Sequence, residues 1–320
     1  MENFLSAIKI QKRFKGGSLS STSLVHHKNL GDCILKTAST EKNREYGFVR
    51  FSSQIKRHNL LRAHSPLLFP KILDLGIDKE SNQAYCFYEY KKGYINFVEF
   101  LLSNPSEKNI YKSIKNLIKA FEILHENRFE EEIPNGSLDY YVKEEMLRPL
   151  KEFSKFFDKT DFKFNDLDIG NTNQLEELIM ETYKKIKHKS EKICLIHGNS
   201  TLENILINKD DFKIAFIDPY DETYFDNYLS DYSQVLQCSK YFYGLRMLEK
   251  NEKMIKNNFK FPNINESFII FNKLFEIELN KMNIDKELLN LLVASQFTRL
   301  LPFRIKANDI INAKYFYSLS

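Results

Sequence analysis

Three short apolar runs interrupt a stretch that otherwise reads as helix. They are Cys194-Leu195-Ile196, Ile205-Leu206-Ile207 and Ile214-Ala215-Phe216-Ile217. Runs of three or four β-prone residues bounded by turn residues suit strands rather than helices. The polar residues 208–211 join the last two as a hairpin. A polar loop, residues 197–204, separates the first run from the second, and a carboxylate, Asp218, follows the third. The C-terminal part is therefore predicted to be a helical body with a small sheet set into it.

The first 90 residues have a different texture. Segments 8–15, 20–26 and 32–37 are β-prone and separated by turn residues. Residues 41–63 carry Phe48, Phe51, Ile55 and Leu61 at helical spacing, and 72–75 and 84–88 are two more strand candidates. The order β-β-β-α-β-β predicts a small antiparallel lobe over residues 1–90. Lys91-Lys92-Gly93 then connects to a larger, mostly helical lobe over 91–320. In that lobe Ile114, Leu117, Ile118, Phe121 and Leu124 form one stripe on a helix over 107–127, with Ser106 at its start. Further helices are predicted at 138–158, 172–187, 227–250, 266–280 and 286–301, with a loop at 159–171 and Pro302 ending or kinking the last helix. The fold class is α+β with two lobes.

Composition narrows the function classes. Lys and Arg total 47 against 43 Asp and Glu, a surplus too slight to argue for nucleic acid. The four cysteines are far apart with no C-x-x-C pair, which fits buried free thiols in a reducing compartment. The N-terminal residues lack the pattern of a signal peptide, and no apolar run reaches the roughly 18 residues of a membrane span. The expectation is a soluble cytoplasmic protein without membrane insertion.

Chemistry-bearing residues gather around the polar loop. Asn204 and Asp218 would offer an amide oxygen and a carboxylate, a pair suited to Mg2+, which prefers oxygen ligands and keeps several waters. Turn capping is the alternative role for such a pair. Near the N-terminus, Gly16-Gly17-Ser18-Leu19-Ser20-Ser21 joins the first two strands. A turn of this kind lets backbone N–H groups approach phosphate oxygens closely, or it is a plain hairpin.

The segment Leu195-Ile196-His197-Gly198-Asn199-Ser200-Thr201-Leu202-Glu203-Asn204, followed by Ile217-Asp218-Pro219, resembles the catalytic loop of the aminoglycoside phosphotransferase and choline kinase superfamily, relatives of protein kinases. That loop reads H-x-D-x-x-x-x-N and precedes a strand ending in I-D or D-F-G. His197, Asn204 and Asp218 match it, and the element order agrees along nearly the whole chain. The resemblance implies a protein-kinase-like fold with ATP and Mg2+ at the lobe interface, Asn204 and Asp218 as metal ligands, and His197 in the catalytic loop. It implies that Lys36 and the turn carrying Gly16, Gly17, Ser18, Ser20 and Ser21 hold phosphates, and that Tyr88 and Tyr90 lie in the adenine-binding hinge. Glu45 is the candidate partner of Lys36, from the likeness of Asn43-Arg44-Glu45-Tyr46 to the family's Arg-Glu, with Gln54 as the second choice. Asp231, in Leu229-Ser230-Asp231-Tyr232, would brace the catalytic loop. Asp218-Pro219 and the run from Phe297 to Arg304 resemble bacterial phosphotransferases associated with surface polysaccharide and capsule. The acceptor implied is the hydroxyl of a small metabolite such as a sugar or an amino alcohol.

Asn199 departs from the pattern, because the family has Asp there to orient the substrate hydroxyl and accept its proton. An amide keeps the shape and one acceptor oxygen but has no useful basicity. Three readings follow: an engineered change of Asp to Asn, a naturally silent nucleotide-binding pseudokinase, or a variant reaction such as nucleotidyl transfer. In the last, Asp221 or Glu222 would take the proton. A protein substrate is disfavoured, since no activation-loop segment separates Asp218 from the next helix.

Overall fold

The computed structural model describes residues 7–14, 20–126, 128–132, 136–157, 163–187, 192–221, 225–248 and 258–320. The chain divides into two compact units. One comprises Met1–Ile95 with Asn204–Glu222, and the other Asn96–Glu203 with Thr223–Ser320.

The first unit is built on a five-stranded antiparallel sheet. Its strands are β1 (Ile8–Phe14), β2 (Ser21–His27), β3 (Gly31–Ser39), β4 (Ile72–Asp78) and β5 (Gln83–Glu89), in the order β1-β2-β3-β5-β4. Side chains alternate between the two faces of a strand. Cys33 and Leu35 of β3 therefore pack with Val25 and Phe87 on one face. Ala38 packs with Ala84, Cys86 and Phe51 on the other, beneath helix α1 (Glu45–His64). Lys36 is two residues from Ala38 and so faces α1 as well. The β-prone run was expected to end at residue 37. Pairing of Ala38 with Ala84 and Ser39 with Gln83 carries the strand two residues further, which places Lys36 in the strand interior.

The hairpin read between 205 and 217 forms as β11 (Ile205–Asn208) and β12 (Ile214–Phe216), with Ile205 opposite Phe216. It joins β6 (Tyr94–Asn96) in a three-stranded sheet ordered β12-β11-β6. Phe216 anchors it: its N–H donates to the Leu68 carbonyl at 2.7 Å, and its fully buried ring lies 5.8 Å from that of Phe69.

The second unit is helical. Helix α3 (Glu107–His125) starts at Ser106, whose hydroxyl accepts the Asn109 N–H, and its predicted stripe from Ile114 to Leu124 is buried. Helix α7 (Leu229–Ser239) is buried at every residue and packs against α10 (Lys286–Thr298). Several boundaries differ from expectation. The helix predicted over 227–250 breaks after Ser239, with Phe242 at φ 56, and resumes as α8 (Tyr243–Leu248). Residues 195–197 are buried but not in a strand, because β10 (Lys192–Cys194) pairs with β7 (Arg128–Glu132) and then ends. Pro302 neither ends nor kinks α10. It lies in the first turn of a new helix, α11 (Leu301–Lys306), where a missing N–H costs nothing. The region predicted as loop at 159–171 contains β8 (Lys163–Phe164) and β9 (Leu167–Asp168) among its described residues.

Phe216 ties the hairpin to residues 68 and 69 through a buried ring. Phe216→Ala is expected to cost about 3–5 kcal/mol, the usual range for emptying a buried Phe site, measured by chemical denaturation.

Candidate active site

Lys36 is buried, with 7% of its side chain exposed, and a buried ammonium requires charged or polar partners. Its Nζ donates to Asp218 Oδ1 at 2.7 Å and to Gln54 Oε1 at 2.5 Å. Asp218 follows β12 in left-handed backbone, φ 52, where a non-glycine residue is uncommon, and 41% of its side chain is exposed. The preceding Ile217 N–H donates to the Asn204 carbonyl at 3.0 Å, which closes the hairpin between the two predicted metal ligands.

Arg50 and Gln54 are four residues apart on α1 and so share a helix face. Gln54 Nε2 donates to the Pro219 carbonyl at 3.0 Å. Arg50 donates through both Nε and an Nη to the carboxylate of Asp221, and its guanidinium lies 5.2 Å from the Tyr220 ring centroid. Helix α1 is thus tied twice to residues 219–221. Burial works against the Arg50 charge, but the hydrogen bonds it donates to Asp221 and the negative charge of that carboxylate prevail and raise the pKa. With 11% of its side chain exposed and both oxygens held by Arg50, Asp221 is a poor substitute base. Glu222 lies outside the described residues.

Glu45 is not the partner of Lys36. It is exposed in the first turn of α1, where a carboxylate is favoured by the helix dipole, and the amide of Gln54 takes the contact. Ser20 and Ser21 adjoin the start of β2, with Ser21 Oγ 2.8 Å from Thr37 Oγ1. Gly16, Gly17 and Ser18 lie outside the described residues. Tyr88 packs its ring 5.0 Å from that of His58, and burial raises its phenol well above the ordinary range. Its backbone pairs with Ile34 and Ile72 within the sheet. Tyr90, just past β5, accepts the Lys92 N–H at 3.0 Å.

In the second unit the loop around Asn199 is held from below by the first turns of α7. Asp231, fully buried, accepts the N–H groups of His197 at 2.9 Å and Gly198 at 2.8 Å. It also accepts Ser200 Oγ at 3.1 Å and meets Nε2 of His125, the last residue of α3, at 3.0 Å. Gln234, one turn on, accepts the Ser200 N–H and donates to the Gly198 carbonyl at 2.8 Å. Gly198 adopts φ 74, a conformation that glycine meets at no steric cost. His197 is fully buried, and its Nδ1 accepts the Asn199 N–H at 3.2 Å, so this side chain supports the loop from within. Asn199 is half-buried.

Burial alone would raise the Asp231 pKa. The His125 hydrogen bond, nearby imidazole charge and the loop N–H groups outweigh it and hold the group below its ordinary value. Glu203 in the same loop shows the opposite balance, its pKa raised by burial. Sequence reading missed His125, Gln234 and Arg50. Of these, only Arg50 left a signal, its four-residue spacing from Gln54.

Among the described residues, no group of three or more His, Cys, Asp or Glu could hold a metal. All four cysteines are buried and free, and no described helix is long and apolar enough to cross a membrane.

Lys36 on the third strand is tied to the carboxylate after a β-hairpin, and Asp231 on a buried helix braces the loop from His197 to Ser200. A search against protein-family models matches residues 10–228 to the Phosphotransferase enzyme family. The chain belongs to that family and has the two-lobed α+β fold of the protein-kinase-like proteins. A search of curated proteins finds no match.

The Asp231 carboxylate answers several buried donors at once. Asp231→Ala is expected to cost about 3–5 kcal/mol, as for removal of one partner from a buried ionic cluster. The native pKa lies below the unfolded one, so the stabilisation is complete above about pH 4 and is lost as pH falls through the depressed native value. Denaturation of both proteins as a function of pH should show the gap closing only in acid.

Proposed function

We propose that the chain transfers the terminal phosphoryl group of ATP to a hydroxyl of a small metabolite, such as a sugar or an amino alcohol. The observation that carries this reading is the contact of buried Lys36 with Asp218, 182 residues away in sequence, since a structural strand has no need of a buried ammonium. In this reading Lys36 binds nucleotide phosphates, and Asn204 and Asp218 hold Mg2+, which supplies charge neutralisation to the phosphate oxygens. Tyr88 and Tyr90 stand at the strand end where backbone groups would meet adenine, and Ser20 and Ser21 border the phosphate-binding turn. Asn199, held in place by the Asp231 and Gln234 bonds to its neighbours, orients the acceptor hydroxyl through its amide oxygen. Asp218-Pro219 and the run from Phe297 to Arg304 favour a role in capsule or surface-glycan synthesis. Within that run Phe297, Thr298 and Leu301 are buried, while Arg304 pairs with Asp309 at 3.3 Å.

The amides at 199 and 54 favour a second reading, a catalytically silent nucleotide-binding protein. Both replace carboxylates that the family uses, one for proton acceptance and one to pair the lysine. Turnover of isotope-labelled ATP against a metabolite library, compared between this chain and Asn199→Asp, separates the two readings.

Two outcomes are expected. Asp218→Ala should weaken Mg-nucleotide binding at least about tenfold, or about 1.4 kcal/mol, by calorimetry. Asn199→Asp should raise phosphotransfer by about a hundredfold or more, the contribution of a positioned base. Turnover at background in that variant, with ATP bound, would establish the silent reading instead.

A further inference from the structure

The helical unit contains a cleft of about 440 Å3 at the end of α3. Glu122, His125 and Glu126 line it from the last turn of that helix, and Tyr228 and Tyr232 from the start of α7. Met282 and Ile284 complete it from the turn after helix α9 (Glu266–Lys281). Glu122 and Glu126 are four residues apart, a spacing at which like charges repel, and they stand at a helix C-terminus, where the dipole favours cations. Both are exposed, and among the described residues neither carboxylate has a hydrogen bond or an ion pair. No lysine or arginine is among the residues that line the cleft. Its floor holds two buried side chains with polar atoms left open. The His125 side chain is 5% exposed and uses Nε2 on Asp231, while Nδ1 has no hydrogen-bond partner among the described residues. Tyr232 is 1% exposed, and its hydroxyl likewise has none. Burial, and next the negative charge of Glu122, raise this phenol above its ordinary range, so it remains an O–H. Buried polar atoms are normally answered, and these two are not answered from within the chain.

We propose that this cleft binds a primary alkylammonium ion as an effector of the loop from His197 to Ser200. The N–H groups of such an ion match the open acceptors, His125 Nδ1 and the Tyr232 oxygen, and its charge matches Glu122 and Glu126. The rings of His125, Tyr228 and Tyr232 have their centroids within 6.2 Å of one another and form an aromatic wall of the kind that attracts cations. Met282 and Ile284 offer apolar surface to the hydrocarbon part. A metal ion fits less well, because Glu122, His125 and Glu126 are not among any group of three such side chains able to hold one in the described residues. Coupling to the loop runs through the imidazole. Asp231 is held ionised and accepts from Nε2, so His125 must carry its proton there. A donor at Nδ1 fixes that tautomer, since the bond made by one ring nitrogen sets the state of the other. Asp231 in turn accepts the N–H groups of His197 and Gly198. The inference goes beyond the phosphotransferase reading and does not depend on it.

The test uses the whole chain with isotope-labelled methionine methyls, so that Met282 reports on the cleft by NMR. The probe is n-butylammonium. n-Butyltrimethylammonium keeps the charge without N–H groups, and n-butanol keeps the chain without the charge. Butylammonium should titrate the Met282 signal, and each control should bind at least about tenfold more weakly, the loss expected for hydrogen bonds to charged groups. Glu122→Gln and Glu126→Gln should each weaken butylammonium by about threefold, as for exposed charges. Neither variant should lower the Tm, because each removes a like-charge repulsion. Saturation with butylammonium should slow hydrogen exchange at the His197 and Gly198 amides more than at those of α10. Equal binding of the three probes, or unchanged affinity in both Glu variants, would overturn the site. Broadening of the Met282 signal by Mn2+ with no response to butylammonium would overturn it in favour of a metal. Binding that leaves exchange at His197 and Gly198 unchanged would refute the effector role.

Discussion

The loop from His197 to Ser200 depends on one buried carboxylate. Asp231 sits at the start of a helix with no exposed residue and collects two consecutive backbone N–H groups, a hydroxyl and an imidazole. A loop carrying reactive groups must have its own backbone donors answered, or it would refold around them. Helix α7 supplies that answer from a rigid position, reinforced by Gln234 one turn later. The side chain of Asn199 is consequently left on a backbone that does not have to move for it to act.

The first unit solves a related problem with a different charge arrangement. Lys36 is placed by strand alternation, α1 by the apolar stripe of Phe48, Phe51 and Ile55, and the 218–221 loop by the Phe216 anchor. Arg50 and Gln54 join the last two. Two ion pairs result: Lys36 meets Asp218 and the amide of Gln54, and Arg50 meets Asp221.

Much of the fold was legible in the sequence. Runs of β-prone residues bounded by turn residues gave the strands of the first unit, and the spacing of Ile114 to Leu124 gave α3. His197, Asn204 and Asp218 were singled out by the resemblance of their loop and hairpin to the phosphotransferase motif. What was missed depends on contacts between distant residues. Nothing local marks His125 as the partner of Asp231, 106 residues later, or marks Gln54 rather than Glu45 as the contact of Lys36. The third strand was read as ending at residue 37 because Ala38 and Ser39 are small or polar, and pairing with β5 carries it past them. The break at Phe242 overrode a helical pattern read as continuous from 227 to 250.

The chain leaves the first unit at residue 95 and returns to it for residues 204–222. During synthesis, the five-stranded sheet can therefore emerge from the ribosome and pair while Lys36 still has no Asp218. At about 5–20 residues per second, the delay lasts many seconds, during which a buried lysine awaits its counter-ion. The small lobe is thus N-terminal in sequence but late in completion. A nascent chain stalled before the hairpin would keep the contact of Phe69 with His58 but lack the one with Phe216.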